Sequence, residues 1–412
     1  MTEPTERRAG VVLSGGGAGG AYEVGVLKAL LSGRSPATGY QALVPGVCAG
    51  TSIGSFNAAF LVSRLADYGA AAAGDLERVW VETLASTALG FRPNGVYRLR
   101  GNPLAFADPW RYVPNPFGPF VQAGRDSTFL LWDGLNRLVN LATNDMSSIG
   151  QRLGELVDLA SLLVLDPFAR SIRETIDCGK IRDAAIRLHV AATNWTTGKL
   201  TVFKNQDMTD RTGPLAILAS SSIPGILPPV LIGAEPHVDG GVLINTPLTL
   251  VTRNAEVIHM IYLDPDVTRI SLGALQSTLG ALYRQQLISW AQIINDDIED
   301  ARSINRSLEV LAKLRAGGSI PDESIQSLAT GLDRVFKRQE EMREGTKAPY
   351  RLLTIHRYHP RDDLSGGFLG LLNFNRDHVS ELIERGFADA AAHDCEVSGC
   401  VLPESASARA EE

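Results

Sequence analysis

Val11, Val12 and Leu13 form an unbroken apolar run that passes through Ser14 into five glycines within residues 15–20. Beyond them Val24, Leu27, Ala29, Leu30 and Leu31 give one side of a helix an apolar surface, and Gly33 suits its end. The pattern predicts strand, glycine turn and helix over residues 11–33. A second apolar run, ALVPGVCA at 42–49, lies between turn signals and predicts a buried strand. Residues 52–64, with Phe56 and Phe60 one turn apart, predict the next helix. Strand, helix, strand, helix at this spacing predicts an α/β fold, a three-layer α/β/α sandwich around a mainly parallel sheet. The pattern resumes with LHVAATN (188–194), a turn at 196–198, KLTVF (199–203) and VIHMIYL (257–263). Beyond about residue 268 it is mainly helical: Leu272, Leu275, Leu279 and Leu282 recur at 3-4-3 spacing, and charged helices continue to about 345.

Between these blocks the chain changes character. Residues 91–126 hold six prolines, seven aromatics and five arginines against two aspartates. So many prolines exclude a regular element. This predicts an irregular insertion that continues as amphipathic helices over 127–177. Aromatics with net positive charge, Phe117 and Phe120 among them, suit a lid or a membrane-surface contact, or packing against the domain. The expected organisation is a polar tail (1–9), a catalytic domain (10–265) with its insertion at 91–177, a mainly helical C-terminal region (266–400) and a disordered tail (401–412).

Composition narrows the function classes. The chain of 412 residues is 44% apolar and 21% charged, which is ordinary for a soluble globular protein. A formal net charge of -7 argues against nucleic acid as a partner. No apolar signal core opens the sequence, and no stretch approaches the length of a transmembrane helix. The four cysteines, Cys48, Cys178, Cys395 and Cys400, form no C-x-x-C. A reduced, cytoplasmic protein without structural zinc is the expectation, with peripheral membrane contact compatible.

Gly15-x-Gly17-x-x-Gly20 has the spacing of a dinucleotide loop. That reading requires an acidic residue about 20 positions on to hold a ribose, and residues 33–50 contain no Asp or Glu. A glycine turn without a ligand is the plain alternative, but five glycines exceed what a turn requires. At the end of the second predicted strand stands GTSIG, residues 50–54. This is the G-x-S-x-G elbow, in which a serine occupies a sharp strand-to-helix turn. Ser52 as an ordinary helix N-cap is its plain reading. Acyl transfer through Ser52 would create an oxyanion, which needs fixed N–H donors. Parallel neighbouring strands would bring the glycine loop to the same sheet edge to supply them.

A serine also needs a base. Of the seven histidines only His237 lies in a glycine-rich turn segment, HVDGGVLINTP (237–247), where Asp239 precedes Gly240 and Gly241. An i, i+2 pair on a strand shares a face, so His237 and Asp239 both stand as candidates, beside the plain reading of an Asp-Gly turn.

The glycine loop, then G-x-S-x-G, then D-G-G, in this order, resembles the patatin-like phospholipase family over about residues 10–265. ASSSIPGILPPV (219–230) and NTP (245–247) are similar to its segments as well. The resemblance implies Ser52 as nucleophile, Asp239 as base in a Ser–Asp dyad, and an oxyanion hole from the backbone of Gly15, Gly16 and Gly17. Gly20, Gly50, Gly54, Gly240 and Gly241 would support the motifs. It implies a lipid acyl hydrolase of phospholipase A or lysophospholipase type, with a lipid at a membrane surface as partner and neither metal nor cofactor. The alternatives are a lipid-binding pseudoenzyme and a general carboxylesterase. Gly19 departs from the family pattern, which places Arg or Lys there and thus a cation beside the anion-handling loop.

Overall fold

The computed structural model describes residues 8–87, 92–99, 163–263, 278–317, 351–361, 364 and 368–404. Most of the expected insertion, with Phe117 and Phe120, lies outside these residues. So do Leu272 and Leu275, the charged stretch at 318–350 and most of both tails (1–7 and 405–412); of the tail expected to be disordered, Val401 instead forms a bridge with Ile355.

Eight strands form one mixed, mainly parallel sheet. They are β1 (Ala9–Leu13), β2 (Pro45–Thr51), β3 (Arg187–Asn194), β4 (Lys199–Lys204), β5 (Val230–Ile232), β6 (Glu235–Asp239), β7 (Val257–Ile261) and β8 (Thr354–Tyr358). The order is β8-β7-β1-β2-β3-β6-β5, with β4 also paired to β3. The pairs β8–β7, β7–β1, β1–β2 and β2–β3 are parallel; β3–β4, β3–β6 and β6–β5 are antiparallel. From β1 the chain proceeds outward to β2 and β3, and later returns to lay β7 and β8 on the other side. β1 thus stands at the reversal of strand order, where α/β sheets bind ligands beyond their carboxyl ends.

The central strands are covered on both faces, which is why they read as apolar runs rather than alternating ones. Val11 and Leu13 of β1 join one core, with Leu27 and Leu30 of α1 (Gly20–Leu31) and Phe56 and Phe60 of α2 (Ile53–Tyr68). Val12 joins the other, with Met260, Ile294 and Ile298. The order of the remaining helices is α3 (Ala71–Val79), α4 (Asp166–Thr175), α5 (Cys178–Asp183), α6 (Thr212–Ser220), α7 (Thr278–Ala316) and α8 (Arg376–Ala391). α7 supplies Ile294 and Ile298, so it closes the second face.

The region beyond residue 268, expected to be mainly helical, also contributes β8 to the main sheet. The apolar signal of RLLTIHRYH at 351–359 is short and carries charges, as an edge strand's is. Helix α8 returns to pack on α1, and the two backbones meet at glycines. A Cβ at Gly25 would stand 2.0 Å from the Ile383 carbonyl oxygen, and one at Gly386 2.1 Å from that of Tyr22. Tyr22 Oη donates to Asp389 Oδ2 at 2.9 Å beside this crossing. Since α1 begins at the glycine loop, α8 braces the helix that follows that loop.

Gly386→Val forces these helices apart. It is expected to lower stability by about 1–3 kcal/mol or more, read as a lower urea midpoint. An unchanged midpoint would contradict the crossing described.

Candidate active site

β1 and β2 run parallel, with Leu13 opposite Gly50. The turns that follow them therefore emerge side by side. Ser52 occupies the turn between β2 and α2 at φ 55° and ψ -128°, one of two non-glycine residues with positive φ among the described residues. A strained backbone of this kind costs roughly 1–3 kcal/mol and persists only where its surroundings hold it. Those surroundings are explicit. The Ser52 N–H donates to Ser220 Oγ at 2.9 Å, and Ser220 Oγ donates to the Ala191 carbonyl at 2.6 Å. The flanking glycines are demanded by contact: a Cβ at Gly50 would lie 2.3 Å from the Gly54 carbonyl oxygen, and one at Gly54 2.5 Å from that of Ser14.

The glycine loop is a short 3-10 turn, Gly17–Gly19, leading into α1. Gly17 has φ +55°, and a Cβ there would meet the Leu371 carbonyl oxygen at 2.2 Å. The Gly15 N–H donates to the Asn245 carbonyl at 3.1 Å, and Asn245 Nδ2 donates back to the Gly15 carbonyl at 3.2 Å. Gly19 N–H donates to Gly16 O. Among the described residues, no backbone acceptor takes the Gly16 or Gly17 N–H, and both residues line a cavity. Behind the loop, Trp80 Nε1 donates to Asn57 Oδ1, and Asn57 Nδ2 donates to Glu23 Oε2 and Gly20 O. Burial raises the Glu23 carboxyl well above its ordinary range, against the lowering effect of its hydrogen bond from Asn57.

Asp239 ends β6 and is buried. Its Oδ1 accepts the Gly241 N–H at 2.7 Å. Desolvation outweighs this bond and the nearby Ser52 side chain, which both favour the charged form, and moves the pKa from 3.8 up to about 7. This answers the weakness of a carboxylate as base: burial supplies the basicity that an exposed aspartate lacks. Gly240 is forced, because a Cβ there would lie 2.4 Å from Ala191 O. Trp290 Nε1, on α7, donates to Gly241 O at 2.6 Å and pins the turn. His237 lies elsewhere. Its Nδ1 faces Glu235 O at 3.1 Å and its ring stands 5.8 Å from that of Phe203. Of the two residues the strand pattern left open, only Asp239 lines the cavity.

That cavity has a volume of about 430 Å³, within the usual range of ligand sites. Ser52, Asp239 and Gly15, Gly16 and Gly17 share it with Trp195, Ile223, Ile226, Val242, Trp290 and Leu371. Its walls are thus mainly apolar, and its lining among the described residues contains no Lys or Arg. Gly19 does not line it. This glycine has φ -56°, and a Cβ there would face Leu263 Cδ1 at 3.3 Å.

Four supporting residues were not singled out from the sequence: Ser220, Asn245, Trp290 and Leu371. Ser220 and Asn245, both buried, fall within the segments ASSSIPG and NTP. Trp290 and Leu371 act through one indole N–H and one carbonyl, which no spacing reveals.

A family model described as patatin, patatin-like phospholipase, matches residues 11–252, more than half of the 412 residues. No curated protein matches the chain. Among solved structures, VipD from Legionella pneumophila is similar at 14% identity and a TM-score of 0.30, over 92% of this chain and 67% of that one.

Burial of Asp239 has a thermodynamic signature. Its native pKa lies above its ordinary value, so the native state binds more protons between pH 3.8 and about 7. The stability it contributes is fully present below 3.8 and is lost as pH rises through 7. Asp239→Asn keeps the shape and removes the buried charge. The variant is expected to be more stable than the parent at pH 8, by up to about 4 kcal/mol, with the gain vanishing toward pH 4. Thermal melts across this range check it; a variant less stable at pH 8 would contradict it.

Proposed function

The chain belongs to the patatin-like phospholipase family, and from that premise we propose that it is a serine-dependent lipid acyl hydrolase of phospholipase A or lysophospholipase type. The observation that carries this reading is that Ser52, at its strained turn, and the buried Asp239 carboxylate line one mainly apolar cavity together with Gly16 and Gly17.

Ser52 Oγ attacks the acyl carbonyl carbon of the bound ester as Asp239 takes its proton. The carbonyl oxygen becomes an oxyanion held by the N–H groups of Gly16 and Gly17, a contribution worth about 10²–10³ in rate per donor. The intermediate collapses with cleavage of the ester C–O bond. Asp239 returns the proton to the departing alcohol, leaving an acyl ester on Ser52. Water, deprotonated by the same carboxylate, then attacks this ester, and the second collapse releases the fatty acid and restores Ser52. The apolar walls receive the acyl chain and exclude bulk water from the dyad. No helix of the described residues is long and apolar enough to cross a membrane, so the lipid is proposed to be reached from a membrane surface.

A second reading, a carboxylesterase with little headgroup discrimination, is favoured by the absence of Lys and Arg from the described lining and by Leu263 standing against Gly19. No charge-assisted bond to a phosphate is available from that lining.

Ser52→Ala and Asp239→Asn are each expected to lower ester hydrolysis by about 10³-fold or more, with the double variant no worse than either single one. Parent kcat/KM should rise with pH through an apparent pKa near 7, as the base ionises. Full turnover in Asp239→Asn together with an inactive His237→Ala would overturn the dyad. A phospholipid and a neutral ester of equal chain length separate the two readings: preference for the phospholipid supports the first, and equal kcat/KM the second.

A further inference from the structure

Far along the sheet from the candidate active site, the edge strand β8 meets the end of the described chain. His356 of β8, His393 just after α8, and Cys395 and Cys400 of the following turn bring their side chains together. One ligand atom from each lies within 4.8 Å of all the others. Cys395 Sγ is 3.4 Å from His356 Nδ1 and 3.6 Å from His393 Nε2, and Cys400 Sγ is 3.4 Å from the same His393 Nε2. A tetrahedron with metal–sulfur bonds of about 2.3 Å and metal–nitrogen bonds of about 2.0–2.1 Å has sulfur–nitrogen edges of about 3.5–3.6 Å. Three of the sulfur–nitrogen pairs already have nearly those separations. We propose that His356, His393, Cys395 and Cys400 form a structural Zn²⁺ site.

The donor set selects the metal. Two thiolates and two imidazoles in tetrahedral arrangement suit zinc, whereas calcium and magnesium require oxygen ligands. Four protein ligands leave no open position, which marks a structural rather than a catalytic ion. The surroundings fit a thiolate pair. The Arg357 backbone N–H donates to Cys400 Sγ at 3.4 Å. The Arg302 and Arg357 guanidinium groups both donate to the Gly399 carbonyl, at 3.0 and 3.1 Å, and so bring positive charge beside the turn. Asp394 Oδ1 accepts the N–H groups of Glu396 and Val397, and the Cys400 N–H donates to Cys395 O at 2.9 Å, so the turn is shaped for both sulfurs to face inward.

The site also has something to hold. Val401, directly after the last ligand, pairs antiparallel with Ile355 through two backbone bonds of 2.8 and 2.9 Å. The metal would therefore fasten the end of the described chain along the edge of β8 and tie it to α8, which packs on α1. Covering an edge strand removes a template for aggregation. The expectation of no structural zinc rested on the missing C-x-x-C. Here the sulfurs are spaced C-x4-C, and one imidazole comes from a strand 37 residues before the other.

Metal analysis of the untagged full-length protein, purified under reducing conditions, tests this. About one equivalent of zinc per chain is expected, lost in Cys395→Ser and Cys400→Ser and retained in Cys48→Ser and Cys178→Ser. Should the serine variants not fold, the parent protein decides. After exchange with Co²⁺ it should show the visible bands of tetrahedral cobalt and a thiolate charge-transfer band. Its Cys395 and Cys400 should resist alkylation until a chelator is added. Three results would each overturn the proposal: a parent protein that neither contains nor takes up zinc, zinc retained by both serine variants, or a Cys395–Cys400 disulfide in the reduced preparation.

Discussion

A carboxylate kept out of water beside a serine hydroxyl is the condition on which the rest of this site depends. Burial of Asp239 raises its pKa to about 7, which makes a weak base serviceable at neutral pH. The same burial works against the folded state at that pH, so neighbouring structure must hold the group in place. The holding contacts come from both near and distant parts of the chain. Gly241 N–H binds the carboxylate, Trp290 binds Gly241, and Asn245 bridges the same segment to Gly15 in both directions. The glycine loop and the Asp239 turn are thereby tied together, and the strained Ser52 lines the same cavity.

Much of this was legible in the sequence because backbone geometry leaves a direct imprint there. Gly17 at positive φ, Gly50 and Gly54 at sub-van-der-Waals approaches, and Gly240 against Ala191 O admit no side chain. Motifs made of such glycines survive as readable patterns. The parallel sheet was legible for a similar reason, since strands covered on both faces must be continuously apolar. What could not be read were contacts set only by tertiary approach. Ser220 holds the Ser52 N–H from 168 residues away, and nothing near Ser220 in sequence announces this. His237 illustrates the reverse case. Strand periodicity placed it with Asp239, but its ring packs toward Phe203.

The C-terminal region shows where pattern reading loses its hold. β8 is a charged, five-residue edge strand, weak by periodicity yet paired in register with β7. Helix α8 falls in the stretch expected to be mainly helical, and Gly386 lets it approach α1 to backbone contact. Both elements lie beyond the matched residues 11–252. They nevertheless add to the sheet and pack on the helix that starts at the glycine loop.

The central claim is that Gly16 and Gly17 stabilise charge while Ser52 attacks. The structure of a covalent fluorophosphonate adduct tests it most directly, because the phosphoryl oxygen stands in for the oxyanion. The account predicts phosphorus bonded to Ser52 Oγ, with that oxygen about 2.7–3.1 Å from the Gly16 and Gly17 nitrogens and the alkyl chain among Trp195, Ile226 and Trp290. An adduct on another residue, or a phosphoryl oxygen turned away from both N–H groups, would contradict it.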